Sequence, residues 1–132
     1  MICPLSRFID VIPHYQLSVY SVLRPWAEKN RAVVVRFMKS VALAARWIYA
    51  NKEAATDLLA KEMGLKREYA RKGWEFYTEK GLWSPVGDVT LDGLGIVAQI
   101  YAEQNQLKTS PNPAKFVDQS YLRAALKKID GR

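Results

Sequence analysis

One stretch decides the predicted fold: Tyr15-Gln16-Leu17-Ser18-Val19-Tyr20-Ser21-Val22-Leu23. It is apolar on both faces, which is typical of a strand in the middle of a sheet. The chain offers one other candidate strand, Phe8–Ile12, joined to the first by a turn at Pro13-His14. Because a two-stranded ribbon is marginal in water, the sequence predicts a sheet completed by another chain or by a larger protein.

The rest of the chain has the residue spacing of helices. The longest is predicted over Trp26–Tyr49, with Pro25 suited to its first turn and an apolar stripe that includes Val34, Phe37 and Ile48. Residues 1–24 are therefore expected to form an N-terminal segment with a strand, and residues 25–132 a helical region of about five helices. The later helices are predicted at Lys52–Met63, Lys66–Lys80, Leu91–Asn105 and Gln119–Ile129; Asn51, Thr90 and Asp118 are predicted to cap the first, third and fourth of these. In the last helix the residues predicted to be buried are Tyr121, Leu122, Ala125, Leu126 and Ile129.

Composition is that of an ordinary soluble globular protein. The 132 residues are 49% hydrophobic and 25% charged, with a formal net charge of +7. A basic balance permits binding to nucleic acid, anionic lipid or anionic ligands, although a basic soluble protein is the simpler interpretation. The lone Cys3 allows no internal disulfide. No signal peptide or membrane span is recognised, so the chain is expected to be cytoplasmic if expressed as written.

The motifs of catalysis and metal binding are missing from the sequence. His14 has no Cys or His companion, and Gly93 and Gly95 form only part of a phosphate-loop pattern that follows no strand. We therefore expect no enzyme, no metal and no cofactor. Two basic clusters could contact phosphates, but they lack helix-turn-helix spacing, so solvated faces are preferred and nucleic acid is an unlikely partner. These clusters are Arg31, Arg36, Lys39 and Arg46, and Lys66, Arg67, Arg71 and Lys72.

Several motifs in order resemble a known family. They are Tyr15–Leu23, then Trp26-Ala27-Glu28-Lys29-Asn30 and Val34-Val35-Arg36-Phe37, then residues 44–55 (AARWIYANKEAA) and residues 116–122 (FVDQSYL). Together they look like the C-terminal part of the periplasmic substrate-binding proteins of ABC transporters. The branch is the one that handles sulfonates, taurine, nitrate and thiamine-precursor pyrimidines. The resemblance covers about Ile12 to Ile129.

The resemblance implies a fold that is mainly α with a short β remnant, the C-terminal portion of a two-lobe α/β periplasmic-binding-protein fold. It implies a non-catalytic carrier of a small polar or anionic solute that docks on an ABC permease subunit in the periplasm. In that family a strand crosses the hinge, so the resemblance implies that the segment 1–24 carries a hinge-type strand. Relative to that family the chain is expected to be incomplete. The ligand-binding candidates are Tyr15, Gln16 and Ser18 at the strand entrance, and more weakly Trp83.

Two other functions stay open on the residues alone. The first is a basic helical nucleic-acid-binding module, which predicts steeply salt-dependent affinity. The second is a helical protein-interaction subunit that adds its strand to a partner's sheet. Because unpaired strand edges invite pairing, a homodimer or a partner chain that completes the sheet is also expected.

Overall fold

The computed structural model describes residues 7–131, apart from the side chain of Phe8, and within that range it contains helices and no strand. Cys3 and the first part of the predicted segment 1–24 lie outside the described residues. The helices, in chain order, are α1 (Phe8–Val11), α2 (Arg24–Lys29), α3 (Arg31–Ala50), α4 (Lys52–Met63), α5 (Arg67–Glu79), α6 (Leu91–Glu103) and α7 (Ser120–Asp130), with a 3₁₀ turn at Pro113–Lys115.

The predicted strand Tyr15–Leu23 is wrong as a strand. The segment runs without helix, turn or bend, but it pairs with no strand in the described part of the chain. A sheet forms only where a second strand supplies hydrogen-bond partners, and residues 7–131 contain none. The predicted β remnant and the two-lobe α/β fold are therefore wrong for this chain, which is all-helical where it is described.

The second predicted strand, Phe8–Ile12, is also wrong, because Phe8–Val11 forms the short helix α1. The amide of Asp10 donates to the carbonyl of Arg7 at 2.9 Å, and the Arg7 guanidinium binds the Asp10 carboxylate at 2.8 Å. A pair of opposite charges three residues apart meets on one helix face and not across a strand. This local pairing favours the helical turn.

The long helix predicted over Trp26–Tyr49 is two helices. Asn30 has φ −112° and ψ 32°, outside the helical range, and it separates α2 from α3. Its side-chain amide and its backbone amide both donate to the carbonyl of Trp26 at 2.9 Å, so Asn30 closes α2. An asparagine side chain can take a backbone hydrogen-bond partner from the helix in this way, so helices often end at asparagine.

The later helices lie where the sequence predicts them, but some of their first and last residues differ from the predicted ones. Lys52–Met63 is confirmed with the same bounds, and Gly64 ends it in the left-handed conformation at φ 62°. Asn51 and Thr90 occupy N-cap positions, yet neither side chain makes the capping hydrogen bond. Asp118 is not the cap of α7, because Gln119 holds that position.

The chain divides into two compact units. Among the described residues, the first comprises 7–21 and 89–118, and it holds α1, α6 and the 3₁₀ turn. The second comprises 22–88 and 119–131, and it holds α2 to α5 and α7.

The core of the second unit lies where α3 packs on α7. Val35 of α3 is buried with Ala125 and Tyr121 of α7, as the sequence predicts for the α7 residues. Two side chains of α3 border this contact: the Arg31 guanidinium lies 4.7 Å from the centre of the Tyr121 ring, and Arg46 binds the Asp130 carboxylate at 2.8 Å. These contacts fix which face of α3 is buried.

Helices α4 and α5 form the other packed pair of the second unit. Ala55 and Ala70 are buried, and small side chains allow the two helices to approach closely. Lys52 connects them: its ammonium group binds Glu75 at 2.7 Å and lies 5.3 Å from the centre of the Trp74 ring. The Trp74 indole N–H donates to the carbonyl of Ile48 at 2.9 Å, which ties α5 to the end of α3.

Candidate interaction segment

Gln16 attaches the start of the extended segment to the beginning of α6. Its side-chain oxygen accepts from the amide of Thr90 at 3.1 Å and from the Thr90 hydroxyl at 3.4 Å. Its side-chain amide donates to the carbonyl of Ser18 at 2.8 Å. Both ends of the Gln16 amide are therefore engaged within the first unit, and the path of the chain is set up to Ser18.

Gly93 permits this attachment because it has no side chain. A Cβ at Gly93 would lie 2.5 Å from the carbonyl oxygen of His14 and 2.5 Å from the Thr90 hydroxyl. It would also lie 3.3 Å from the Cβ of Gln16. The backbone before the extended segment thus approaches α6 at a distance that only glycine allows.

From Leu17 onward the segment presents an exposed edge. The structure records no hydrogen bond to the backbone N–H or C=O of Leu17, Val19 or Ser21 from any residue in 7–131. In extended chain these alternate residues point their backbone groups to the same side. We call Leu17–Ser21 the interaction segment; Leu17 is 52% exposed and Val19 is 50% exposed.

The composition of the interaction segment suits pairing with another strand. Leu17–Ser21 contains no charge, no proline and no glycine, and two of its residues, Val19 and Tyr20, have high β-propensity. Such an edge is the kind of surface that proteins normally cover, twist or protect with charge. Sequence analysis predicted ligand contacts at the start of this segment and, because a strand edge invites pairing, a second chain beside it; both stay predictions.

The predicted ligand residues Tyr15, Gln16 and Ser18 lie together at the start of this segment. Tyr15 and Gln16 are half-buried, and Ser18 is exposed. Gln16 has a structural role in holding the segment on α6, and Ser18 contributes its backbone carbonyl to that role. Solute binding by these three residues stays a prediction.

Trp83, the weaker ligand candidate, is held in the loop between α5 and α6. Its ring stacks on Tyr77 at 4.7 Å between ring centres, and its carbonyl accepts a hydrogen bond from the Tyr49 hydroxyl. Burial raises the pKa of Tyr49. In the same loop the hydroxyl of Ser84 accepts from the amide of Gly87 at 2.9 Å. These contacts hold Trp83 in place in the loop and give it a structural role.

The second basic cluster is partly neutralised where it lies on α5. Arg67 binds both Glu53 and Asp57 of α4, and Arg71 binds Glu53 at 2.7 Å. The hydrogen bond from Arg67 lowers the pKa of Glu53. Since two of its arginines already hold carboxylates, this face offers less positive potential to a phosphate backbone than its sequence suggests.

Comparison of the chain with protein-family models, with curated proteins and with solved structures finds no match. The family resemblance therefore stays a prediction. Within residues 7–131 no cluster of three or more His, Cys, Asp or Glu side chains has the arrangement of a metal site. No helix in that range combines the length and the apolar character that crossing a bilayer requires.

Proposed function

We propose that this chain is a non-catalytic helical subunit that adds its interaction segment, Leu17–Ser21, to the edge of a partner's β-sheet. The family resemblance suggests the context: the chain is part of the solute-binding component of an ABC-type importer for a small polar or anionic solute, and the partner chain supplies the sheet that it lacks. The single observation that supports strand addition is the row of backbone groups at Leu17, Val19 and Ser21 that make no hydrogen bond within residues 7–131.

The energetics favour pairing over exposure. Each backbone hydrogen bond gained on pairing contributes roughly 0.5–1.5 kcal/mol net. Leu17 and Val19 are about half exposed, so a partner's side chains would bury further apolar surface. Gln16 and Gly93 hold the start of the segment in place, which lowers the entropy cost of ordering it on binding.

A pair of proline variants tests strand addition. Val19→Pro removes an N–H from the proposed pairing edge, whereas Ser18→Pro removes one from the opposite edge. The tagged chain is purified from the cells that produce it. The proposal expects one stoichiometric partner, which V19P loses and S18P retains. In that complex the amides of Leu17, Val19 and Ser21 should exchange slowly with solvent, and in the chain alone rapidly.

Equal retention of the partner by V19P and S18P would contradict strand addition, because the two substitutions differ mainly in which edge loses its donor. Strand addition is also contradicted if both variants lose the partner and the amides of Leu17 and Val19 exchange rapidly with solvent in the wild-type complex. Circular dichroism of both variants provides the control for folding.

The solute-transport part of the proposal rests on the sequence resemblance. Two of its motifs contain the start of a helix: residues 44–55 include the start of α4 after Asn51, and residues 116–122 include the start of α7. Its test is a thermal melt with sulfonates, taurine, nitrate and pyrimidines, for the chain alone and for the purified complex. A shift by one solute in the complex supports transport, and no shift in either contradicts it.

A further inference from the structure

Positive charge in the second unit is concentrated on two of its helices. Helices α3 and α7 together carry seven basic side chains and one acidic side chain, Asp130. Helices α4 and α5 carry five basic and six acidic side chains. Most of the net charge of +7 therefore belongs to the α3–α7 pair.

Most of these cations are not neutralised by the protein itself. Arg46 binds Asp130, and Arg31 lies over the Tyr121 ring. The other five make no ion pair with any residue in 7–131, in contrast to the arginines of α5, which hold carboxylates of α4. These five are Arg36, Lys39, Arg123, Lys127 and Lys128.

Helices α3 and α7 lie side by side and run in the same direction. Near the start of both helices, the Arg31 guanidinium lies 4.7 Å from the centre of the Tyr121 ring. At their far ends, Arg46 binds the carboxylate of Asp130 at 2.8 Å. Residues that follow one another along α3 therefore have neighbours that follow one another along α7.

This arrangement brings the unpaired lysines of the two helices to the same level. Val35 and Ala125 are buried together in the core between α3 and α7. Lys39 follows Val35 by four residues and Lys128 follows Ala125 by three, about one helical turn in each case. Lys127 is adjacent to Lys128, and both are exposed. Two helices thus contribute cations to one part of the surface.

Apolar side chains continue the basic stripe along α3. Arg36, Lys39, Leu43 and Trp47 follow one another at intervals of three or four residues, so they share one side of the helix. The stripe extends about 16 Å along the helix. Leu43 is 46% exposed and Trp47 is 41% exposed. We call these four residues, together with Lys127 and Lys128, the basic face.

We infer that the basic face binds the surface of an anionic lipid bilayer. Its four unpaired cations complement the negative headgroups, and each basic side chain near such a surface strengthens partitioning about fivefold. The inference is independent of strand addition, because it uses no residue of the interaction segment.

The apolar part of the basic face favours lipid over nucleic acid. Helices that lie on a bilayer combine Lys and Arg with exposed Trp and Leu, whose side chains enter the boundary between headgroups and acyl chains. Tryptophan in particular is enriched at that level of the membrane. A phosphate backbone attracts the same cations but gains little from an exposed leucine. Leu43 beside Lys39 is therefore the feature that distinguishes the two partners.

Two pairs of lysine substitutions test the position of the charges. Co-sedimentation with vesicles of phosphatidylglycerol and phosphatidylcholine, in a ratio of about 1:2, measures the partition coefficient of the full chain. Lys127→Gln with Lys128→Gln should weaken binding about 25-fold. Lys61→Gln with Lys66→Gln is the matched control: it removes the same charge from exposed positions outside the basic face, and it should change binding less than about twofold.

A leucine pair tests the apolar contact. Leu43→Gln should weaken vesicle binding about fivefold, because roughly half of a leucine side chain loses its contact with the bilayer. Leu58→Gln is the matched control, since Leu58 of α4 is 49% exposed and lies outside the basic face; it should leave binding unchanged. V19P should also bind vesicles normally, which separates this inference from strand addition. Circular dichroism verifies that each variant is folded.

Three results would overturn the inference. The first is absence of binding to the anionic vesicles at low salt, where electrostatic attraction is strongest. The second is equal weakening by the two lysine pairs, which would show that net charge alone attracts the chain. The third is tighter binding to duplex DNA than to vesicles at the same salt, lost in K127Q/K128Q and unchanged in L43Q, which would assign the basic face to nucleic acid.

Discussion

Two glycines of α6, only two positions apart, should respond in opposite directions to the same substitution. Gly93 and Gly95 lie in one helix, and alanine at either position removes the entropy cost of glycine, a gain of up to about 1 kcal/mol. Their surroundings differ. The added methyl group of Gly95→Ala would meet its nearest neighbour, the Cγ of Pro113, at 3.9 Å, an ordinary contact. We expect G95A to stabilise α6 by up to about 1 kcal/mol.

Gly93→Ala introduces a clash that outweighs this gain. The new Cβ would lie 2.5 Å from the carbonyl oxygen of His14 and 2.5 Å from the Thr90 hydroxyl. Overpacking costs about 1–3 kcal/mol, and the upper part of that range applies because a backbone oxygen moves only if the whole turn moves. After the propensity gain, G93A should destabilise α6 by about 1–2 kcal/mol.

Native-state amide exchange over Leu91–Glu103 measures the difference directly, because it reports the opening of α6 whether or not the two units unfold together. The gap between G93A and G95A is about 2–3 kcal/mol, which is roughly a 30- to 150-fold ratio of opening constants. G93A should also speed exchange at Thr90, whose amide is bonded to Gln16. Equal protection of α6 in the two variants would refute the close approach described for Gly93.

Three further predictions concern the second unit. Thr56 is fully buried and its hydroxyl has no hydrogen-bond partner among the described residues, so Thr56→Val should raise the free energy of unfolding by about 1 kcal/mol in a urea titration. Thr78→Val should give no gain, because the Thr78 hydroxyl donates to the carbonyl of Trp74 at 2.7 Å. Tyr49→Phe removes the hydrogen bond to Trp83 and should cost about 1 kcal/mol, with a red shift of tryptophan emission if the loop opens. The hydrogen bond from Arg67 lowers the pKa of Glu53. The ion pair therefore stabilises the fold fully above the ordinary pKa of a glutamate, and this stabilisation is lost as the pH falls through the lowered pKa of Glu53. Glu53→Gln should remove that part of the acid dependence of the melting temperature, and unchanged acid dependence would contradict the pairing.

The local features of this fold could be predicted from the sequence because their causes are local. Gly64 ends α4 in the left-handed conformation, as its residue type predicts. Of the five residues that the periodic pattern in Gln119–Ile129 predicts to be buried, Tyr121, Leu122 and Ala125 are buried, and Leu126 and Ile129 are half-buried. Each of these depends on neighbours within about two helical turns, where spacing determines which side chains share a face.

Features that depend on distant residues were not predicted. The bond between Gln16 and Thr90 joins residues 74 positions apart, and nothing in the spacing of either indicates it. Phe37 was assigned to the buried stripe of its helix, yet it is 47% exposed, whereas Val35 is buried. Helix α3 has apolar residues around most of its circumference, so its periodicity does not determine which side the neighbours cover.

The error at Tyr15–Leu23 and the exposed face of α3 have the same physical origin. The apolar pattern of a segment indicates how much of its surface must be buried, but it does not indicate which molecule packs against that surface. In the extended segment the pattern matched an interior strand, and residues 7–131 supply no neighbouring strand. In α3 the pattern matched a helix covered on two sides, and α7 covers one. Leu17, Val19, Leu43 and Trp47 each remain 41–52% exposed. The proline pair at 18 and 19 therefore tests whether a partner's strand buries the exposed surface of Leu17 and Val19.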